Sequence, residues 1–307
     1  MDYDELKLVP IRFLPDRVDM PWGSAEYILA DLGFVDSLAA EGILGGNSIS
    51  ELMETYLERI SGENAFDAYG TQFPVMVKRL DVKGRTSLHV NPDDTTAMDR
   101  YDSLGKTALW YVLEADKDSR LWLGFRRDVT PSEFYEKCQG RGDVEGLLRE
   151  VKPHPGQLFL IPPGTVHAAK NVKLLEIAES SELWFRLHEW EPSEREIHLE
   201  EAFDLIDFHA AGSLETQFPV KLPQMRVRKL NITVPSGVES PDGDSFRLYV
   251  SLKGSLDVDG CSIGEGGAVL VPADVLSWHL TPGAGGTEVL EITVDKIPDQ
   301  EPWTTAE

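Results

Sequence analysis

The chain has 307 residues, with 53 acidic against 29 basic and a formal charge of −24, a field that repels nucleic acid and anionic membrane and argues against both as partners. An anionic small molecule can be held against that field only where clustered Lys and Arg reverse the sign within roughly 8–10 Å. The two cysteines, Cys138 and Cys261, are far apart, so neither a disulfide framework nor a thiolate zinc site is indicated, and a reducing, cytoplasmic setting is expected. MDYDELKLVP at the start has acids where a signal peptide wants a basic region and an apolar core. No apolar run reaches the roughly 18 residues of a membrane span, so a soluble protein is expected.

In SISELMETYLERI, apolar Ile49, Leu52, Met53, Tyr56, Leu57 and Ile60 recur at helical spacing, and Ser48 with Glu51 forms a capping box. A helix over about 48–61 is predicted. From Phe73 onward most segments are short, apolar or alternating, and punctuated by Gly, Pro and Asp: FPVMVKRLDV, TSLHVN, ALWYVLEA, SRLWLGF. TPSEFYEKCQG offers Thr130 as N-cap and Pro131 at the first helical position, and DVEGLLREV adds a second short helix, so about 130–150 is read as helical. The strands GQLFLIP, VKLLEIAES and ELWFRLHEW follow. After an acidic stretch around Pro192–Asp207 a second strand-rich set begins, including MRVRKLNITV, SFRLYVSLKG, GGAVLVP, VLSWHLTP and TEVLEITV.

Such a density of short strands predicts a mainly β chain of sandwiches or small barrels. GQLFLIPPGTVH is echoed by GGAVLVPADVLSWH, and LLEIAES by VLEITVD, which points to duplication of one barrel. Two domains are expected, 1–191 carrying the helical segments and 192–307.

GQLFLIPPGTVHAAKN, residues Gly156–Asn171, matches the second cupin motif at Gly156, Pro162, Gly164, His167 and Asn171. A strand enters a tight turn, Gly164 takes a positive φ, and the next strand aims His167 into the barrel mouth. The first cupin motif would supply two histidines two apart on one strand, where side chains share a face and can reach one metal. TSLHVNPDD keeps His89 at the first position and has Asn91 at the second; the motif's Glu falls on Ala108 and its Gly on Ala115. The fold expected is therefore tandem cupin barrels of the jelly-roll, double-stranded β-helix kind.

FPVMVKRLDV, SLHVNPDD, GKTALWYVL, LIPPGTVHA, LLEIAESS and LWFRLHEW, in that order, resemble the type I mannose-6-phosphate isomerases, which are zinc-dependent cupins. PWGS at Pro21–Ser24 is similar to that family's N-terminal WGG element, and the resemblance spans roughly Leu6–Glu191. It implies isomerisation of mannose 6-phosphate and fructose 6-phosphate through an enediol, with a phosphosugar as partner. The family's zinc ligands, Gln, His, Glu and His, map onto His89, Asn91, Ala108 and His167. By the same resemblance Ser87, Lys106, Arg186 and Glu176 face the sugar, and Lys106 and Arg186 are the candidates for catalysis.

Zinc wants about four N, O or S donors. His89 and His167 are good ligands, Asn91 a weak one and Ala108 none, so retention of zinc is left open, with Glu176, Asp93, Asp94 or water as possible completions. Three readings follow: a phosphosugar isomerase of this type with a weakened metal site, a sugar-phosphate-binding cupin that has lost zinc and catalysis, and a cupin with other metal chemistry. The last needs a facial ligand triad that the chain does not display. His279 stands without a partner histidine in the C-terminal half and is read as structural.

Overall fold

The computed structural model describes residues 6–296. Its strands are antiparallel, and it divides into two compact units. One comprises Arg17–Glu26 and Met76–Gln217; the other comprises the chain up to Asp16, Tyr27–Val75 and the chain from Phe218 on. The expected break after Glu191 is therefore displaced. Residues beyond it stay with the first barrel because Phe208 stacks on Phe125 with ring centroids 5.9 Å apart, and the Glu215–Thr216 strand pairs with Leu158–Phe159. The segment holding the first helices joins the C-terminal strands instead: Phe73 lies 4.7 Å from Phe246, and the amides of Ala273 and Phe246 donate to Ile60 and Ser61 carbonyls.

A ten-stranded sheet has as its backbone the order Glu215–Thr216, Leu158–Ile161, Ala108–Phe125, His167–Glu179, Val75–Arg85, Gly23–Leu29, Asp16–Met20. The long Ala108–Phe125 and His167–Glu179 strands pair from Ala108–Ala178 at one end to Leu123–His167 at the other. Their register shifts between Ala115 and Arg120, opposite Asn171, which takes φ 47°. Asparagine tolerates that left-handed conformation better than most residues, which accounts for the last position of the Gly156–Asn171 motif. A short strand, Leu88–Val90, is inserted between Phe185–His188 and the start of His167–Glu179. Its Leu88 and Val90 are sealed in a cluster with Trp122, Phe125, Phe134, Val166, Phe185 and Leu187.

The predicted helix over 48–61 is present in two pieces, Ile49–Tyr56 and Glu58–Ser61. The Ser48–Glu51 capping box forms, and Ile49, Leu52, Met53 and Tyr56 are buried, but Leu57 takes φ 50° and interrupts the run. The helical reading of about 130–150 holds in short pieces as far as Leu147. Thr130 caps Pro131–Glu136 as expected, a π-helical turn over Lys137–Arg141 and a 3-10 turn over Glu145–Leu147 follow, and Leu148–Val151 is a strand paired with Leu121–Phe125. Cross-strand pairing there overrides the helical propensity of GLLREV.

In the C-terminal unit a six-stranded and a four-stranded sheet enclose Tyr249, Leu256, Val258, Val269, Trp278 and Val289. The internal echo reappears in the backbone: Leu158–Ile161, a turn and His167–Glu179 correspond to Ala268–Val271, a turn and Ser277–Pro282. It does not extend to the chemistry, since His279 is exposed and its Nδ1 lies 3.2 Å from Asp259. Among the described residues no helix is long and apolar enough to cross a membrane.

Candidate active site

Strand alternation that buries Leu88 and Val90 turns His89 to the opposite face. There His89 is in register with Arg186 on one side and His167 on the other. The two imidazoles lie with ring centroids 3.9 Å apart and planes at 57°. His89 Nδ1 is 3.0 Å from the Ser87 carbonyl, and His167 Nδ1 is 2.7 Å from the Thr165 carbonyl. A carbonyl only accepts, so Nδ1 carries the hydrogen in both rings and each Nε2 keeps its lone pair. Burial, then the neighbouring His167 and Lys106, holds the His89 pKa well below the usual imidazole range. Burial likewise lowers that of His167 to about 4, so both rings are neutral at pH 7.

The turn before His167 is fixed from two directions. Gly164 takes φ 81°, and its amide donates to the Asn91 carbonyl at 2.9 Å. A Cβ at Gly164 would stand 2.9 Å from the Leu205 carbonyl oxygen. Gly164→Ala is accordingly expected to destabilise by about 1–3 kcal/mol, from left-handed strain plus the clash, measured as a lowered urea midpoint.

Below the imidazoles lies a buried ionic cluster. The Glu176 carboxylate is 3.2 Å from the Lys78 ammonium and 3.4 Å from that of Lys106. It also accepts the Trp110 indole N–H at 2.7 Å. Lys78 reaches Glu182 at 3.0 Å. Side-chain exposures of 8% for Lys78, 5% for Lys106 and 6% for Glu176 place these charges out of bulk water. Burial alone would favour a protonated Glu176, but Lys78, Lys106 and the Trp110 bond outweigh it and hold the carboxyl well below its usual range. Burial and the adjacent Lys78 lower the Lys106 pKa, against the pull of Glu176. Trp110 stands 5.3 Å from the His167 ring, so the cluster and the imidazole pair share one interior.

The expected site residues thus fall into two groups. His89 and His167, expected from the motif spacing, converge with Lys106 and Glu176, expected from the family resemblance. Ser87 and Arg186 lie beside them but are bound into a separate network: Ser87 Oγ donates to Glu189 at 2.6 Å, Arg186 Nε lies 3.1 Å from the same carboxylate, and Arg195 reaches it at 2.7 Å. Arg186 also donates to the Glu196 carbonyl and lies over the Trp184 ring, itself 5.5 Å from His89.

Glu182, Trp110, Trp184 and Glu189 carry no expectation from the sequence, and Lys78, which with Arg79, Lys83 and Arg85 lies close in sequence to the His89 strand and reads as one of a mostly solvated group, is buried. A lysine inside VMVK could have been flagged because its apolar neighbours leave it no exposed face. Arg85, by contrast, is spent structurally, with its guanidinium 3.7 Å from the Trp122 ring centroid and 3.2 Å from that of Trp190.

The family resemblance implies a zinc ion at these residues. Two imidazole Nε2 atoms are available. Asn91 donates its Nδ2 to the Lys106 carbonyl at 3.4 Å, and its buried Oδ1 has no hydrogen-bond partner, so it could add one neutral, weak oxygen. Ala108, buried on the same strand face as Trp110, adds nothing. Glu176 is already committed to two ammoniums and an indole, and the two lysines balance Glu176 and Glu182, leaving no net negative charge to offset a dication. Among the described residues no three His, Cys, Asp or Glu are grouped to hold an ion. This donor set falls short of the four that zinc wants, and the residues do not fit the ion.

No family model matches the chain. It is similar to the mannose-6-phosphate isomerase ManA of Bacillus subtilis, 30% identical over 223 residues that cover 64% of this chain and 68% of that protein. It is also similar to the mannose-6-phosphate isomerase of Streptococcus mutans, 24% identical over 263 residues covering 79% and 80%. The crystal structure of the mannose 6-phosphate isomerase from Bacillus subtilis superposes with TM-score 0.79 over 94% of this chain and 100% of that one, at 24% identity. Fold and site together define an antiparallel β protein of the cupin class, with imidazoles and an ionic cluster gathered in one interior. The chain belongs to the mannose-6-phosphate isomerase family.

Proposed function

We propose that the chain is an isomerase interconverting mannose 6-phosphate and fructose 6-phosphate, acting in the cupin barrel of residues 76–217. The observation that carries this reading is the convergence of two neutral imidazoles with Lys106 and Glu176 in one interior, in a chain of this family. Moving a proton between C2 and C1 through an enediol requires a base and a positive group where oxyanion charge develops. An imidazole Nε2 held neutral by burial is such a base. The Lys106 ammonium, fixed by Glu176, supplies the positive group, and Arg186 and Arg195, which share the single Glu189 carboxylate, leave local positive charge for a phosphate against the acidic background.

One observation favours a second reading. Ala108 stands where the family resemblance places an anionic ligand, which suits a barrel that binds sugar phosphate without turning it over. Incubation of the purified protein with mannose 6-phosphate, following fructose 6-phosphate with time, separates the two. Product formation abolished by His167→Ala supports the isomerase. Absence of turnover, together with a raised melting temperature on adding either sugar phosphate, establishes the binding protein.

A further inference from the structure

We infer that this pocket takes its sugar phosphate without a divalent metal, and that the acceptors left by the altered ligand set meet the sugar hydroxyls directly. The inference rests on the phosphosugar reading above and specifies how the ligand is held.

Three neutral acceptors are left over on one interior. His89 and His167 each spend Nδ1 on a backbone carbonyl and keep an Nε2 lone pair. Asn91, two residues from His89, keeps a buried Oδ1 that has no hydrogen-bond partner in the protein. A buried acceptor without a donor costs free energy until a ligand supplies one, and a polyol supplies several. Beside the acceptors stand the ammoniums of Lys78 and Lys106, which donate and so suit carbonyl, hydroxyl or phosphate oxygens of the same ligand. Acceptors and donors in this mixture complement a sugar. A dication would find few donors and no compensating charge, with ammoniums close by that repel it.

The missing donors can also be located. Asn91→His would place a third imidazole two residues from His89, and Ala108→Glu would place a carboxylate on the face of Trp110. These two changes are expected to convert the pocket into a zinc site.

The experiment combines zinc titration by calorimetry, metal analysis after dialysis and thermal melting with fructose 6-phosphate, on the wild-type chain and on the Asn91→His/Ala108→Glu double variant. The wild type is expected to retain no stoichiometric zinc, and its melting temperature should rise with fructose 6-phosphate to the same extent with or without EDTA. The folded double variant should take up one equivalent at least about 100-fold more tightly. Retention of one equivalent by the wild type, or a fructose 6-phosphate response that EDTA removes, would overturn the inference. So would a folded double variant that binds zinc no better than the wild type. Titration of the wild type decides the metal question even if the double variant fails to fold. If fructose 6-phosphate shifts neither protein, with or without zinc, the phosphosugar reading fails while the zinc result stands on its own.

Discussion

Glu176→Ala is expected to lower the unfolding free energy by about 3–5 kcal/mol, because it strips two buried ammoniums of their common partner. Lys78 would keep Glu182, but Lys106 would be left facing Lys78 across the vacated space, and the Trp110 indole would lose its acceptor. Glu176→Gln keeps the shape and an acceptor for the indole, and removes only the charge, so its cost should be smaller, about 1.5–3 kcal/mol. Lys106→Met combined with Glu176→Gln should cost less than the sum of the single changes, since each removes the need for the other.

The sign with pH follows from the direction of the shift. The folded protein holds Glu176 ionised below the pH at which the unfolded chain protonates it. This contribution is therefore present above the ordinary glutamate pKa and is lost as pH falls below it. Urea unfolding at pH 7 and pH 4 checks both points. A Glu176→Ala protein within 1 kcal/mol of wild type at pH 7, or a difference that fails to shrink in acid, would remove the cluster from any role in stability.

Much of the site was legible because it rests on two short-range rules. Period-two alternation buried Leu88 and Val90 on one face and turned His89 to the other. The Gly-turn chemistry at Gly164 delivered His167 to the adjacent strand, where it became the cross-strand neighbour of His89. The ionic cluster was harder to read. Lys78 lies among Lys and Arg residues in sequence, and only the third dimension shows that Glu176 and Glu182, about a hundred residues later, neutralise it inside the barrel. Arg186 illustrates the opposite failure: its family position suggested a free cation, but Glu189, three residues on, already holds it.

The illegible parts of the fold have a similar origin. Residues 148–151 follow helix-like composition, yet a neighbouring strand edge captures them. The acidic segment after Glu191 is expected to open the second domain, but its apolar residues Leu199, Ala202 and Ile206 pack into the first barrel's core. Local pattern predicts what a segment can do alone; which partner takes it depends on contacts of long sequence separation. This also explains how a chain of −24 net charge can hold a pocket with two buried lysines. The excess acid is largely spread over exposed positions, where water and salt screen it within a Debye length.

Raising the pH from 5 to 8 is expected to destabilise the wild type relative to Glu179→Gln, and the cause lies in the loop that carries Lys106. Two acidic side chains fasten that loop. Glu179 Oε2 accepts the Thr107 amide at 2.7 Å, and Asp94 Oδ1 accepts the Gly105 amide at 3.0 Å. Gly105 is pressed so closely on the start of the Asp94–Tyr101 helix that a Cβ there would lie 2.4 Å from the Asp94 nitrogen. Burial, reinforced by the neighbouring Asp94 carboxylate, pushes the Glu179 pKa from 4.5 up to about 8.

Folded protein therefore keeps a proton that the unfolded chain releases above about 4.5, and stability falls by up to about 1.4 kcal/mol per pH unit until the folded group itself ionises near 8. Glutamine preserves an acceptor for Thr107 without the titration. The Glu179→Gln protein should match the wild type near pH 4.5 and exceed it by about 3–5 kcal/mol at pH 8. Above that pH the wild-type loop holds two facing carboxylates, so ligand response should also fall in the wild type and persist in the variant. Urea midpoints at pH 5, 6.5 and 8 read the first effect, and melting shifts with fructose 6-phosphate across the same range read the second. Parallel stability curves for the two proteins would mean that Glu179 is ionised at neutral pH and that the loop is held by charge instead of by a neutral carboxyl.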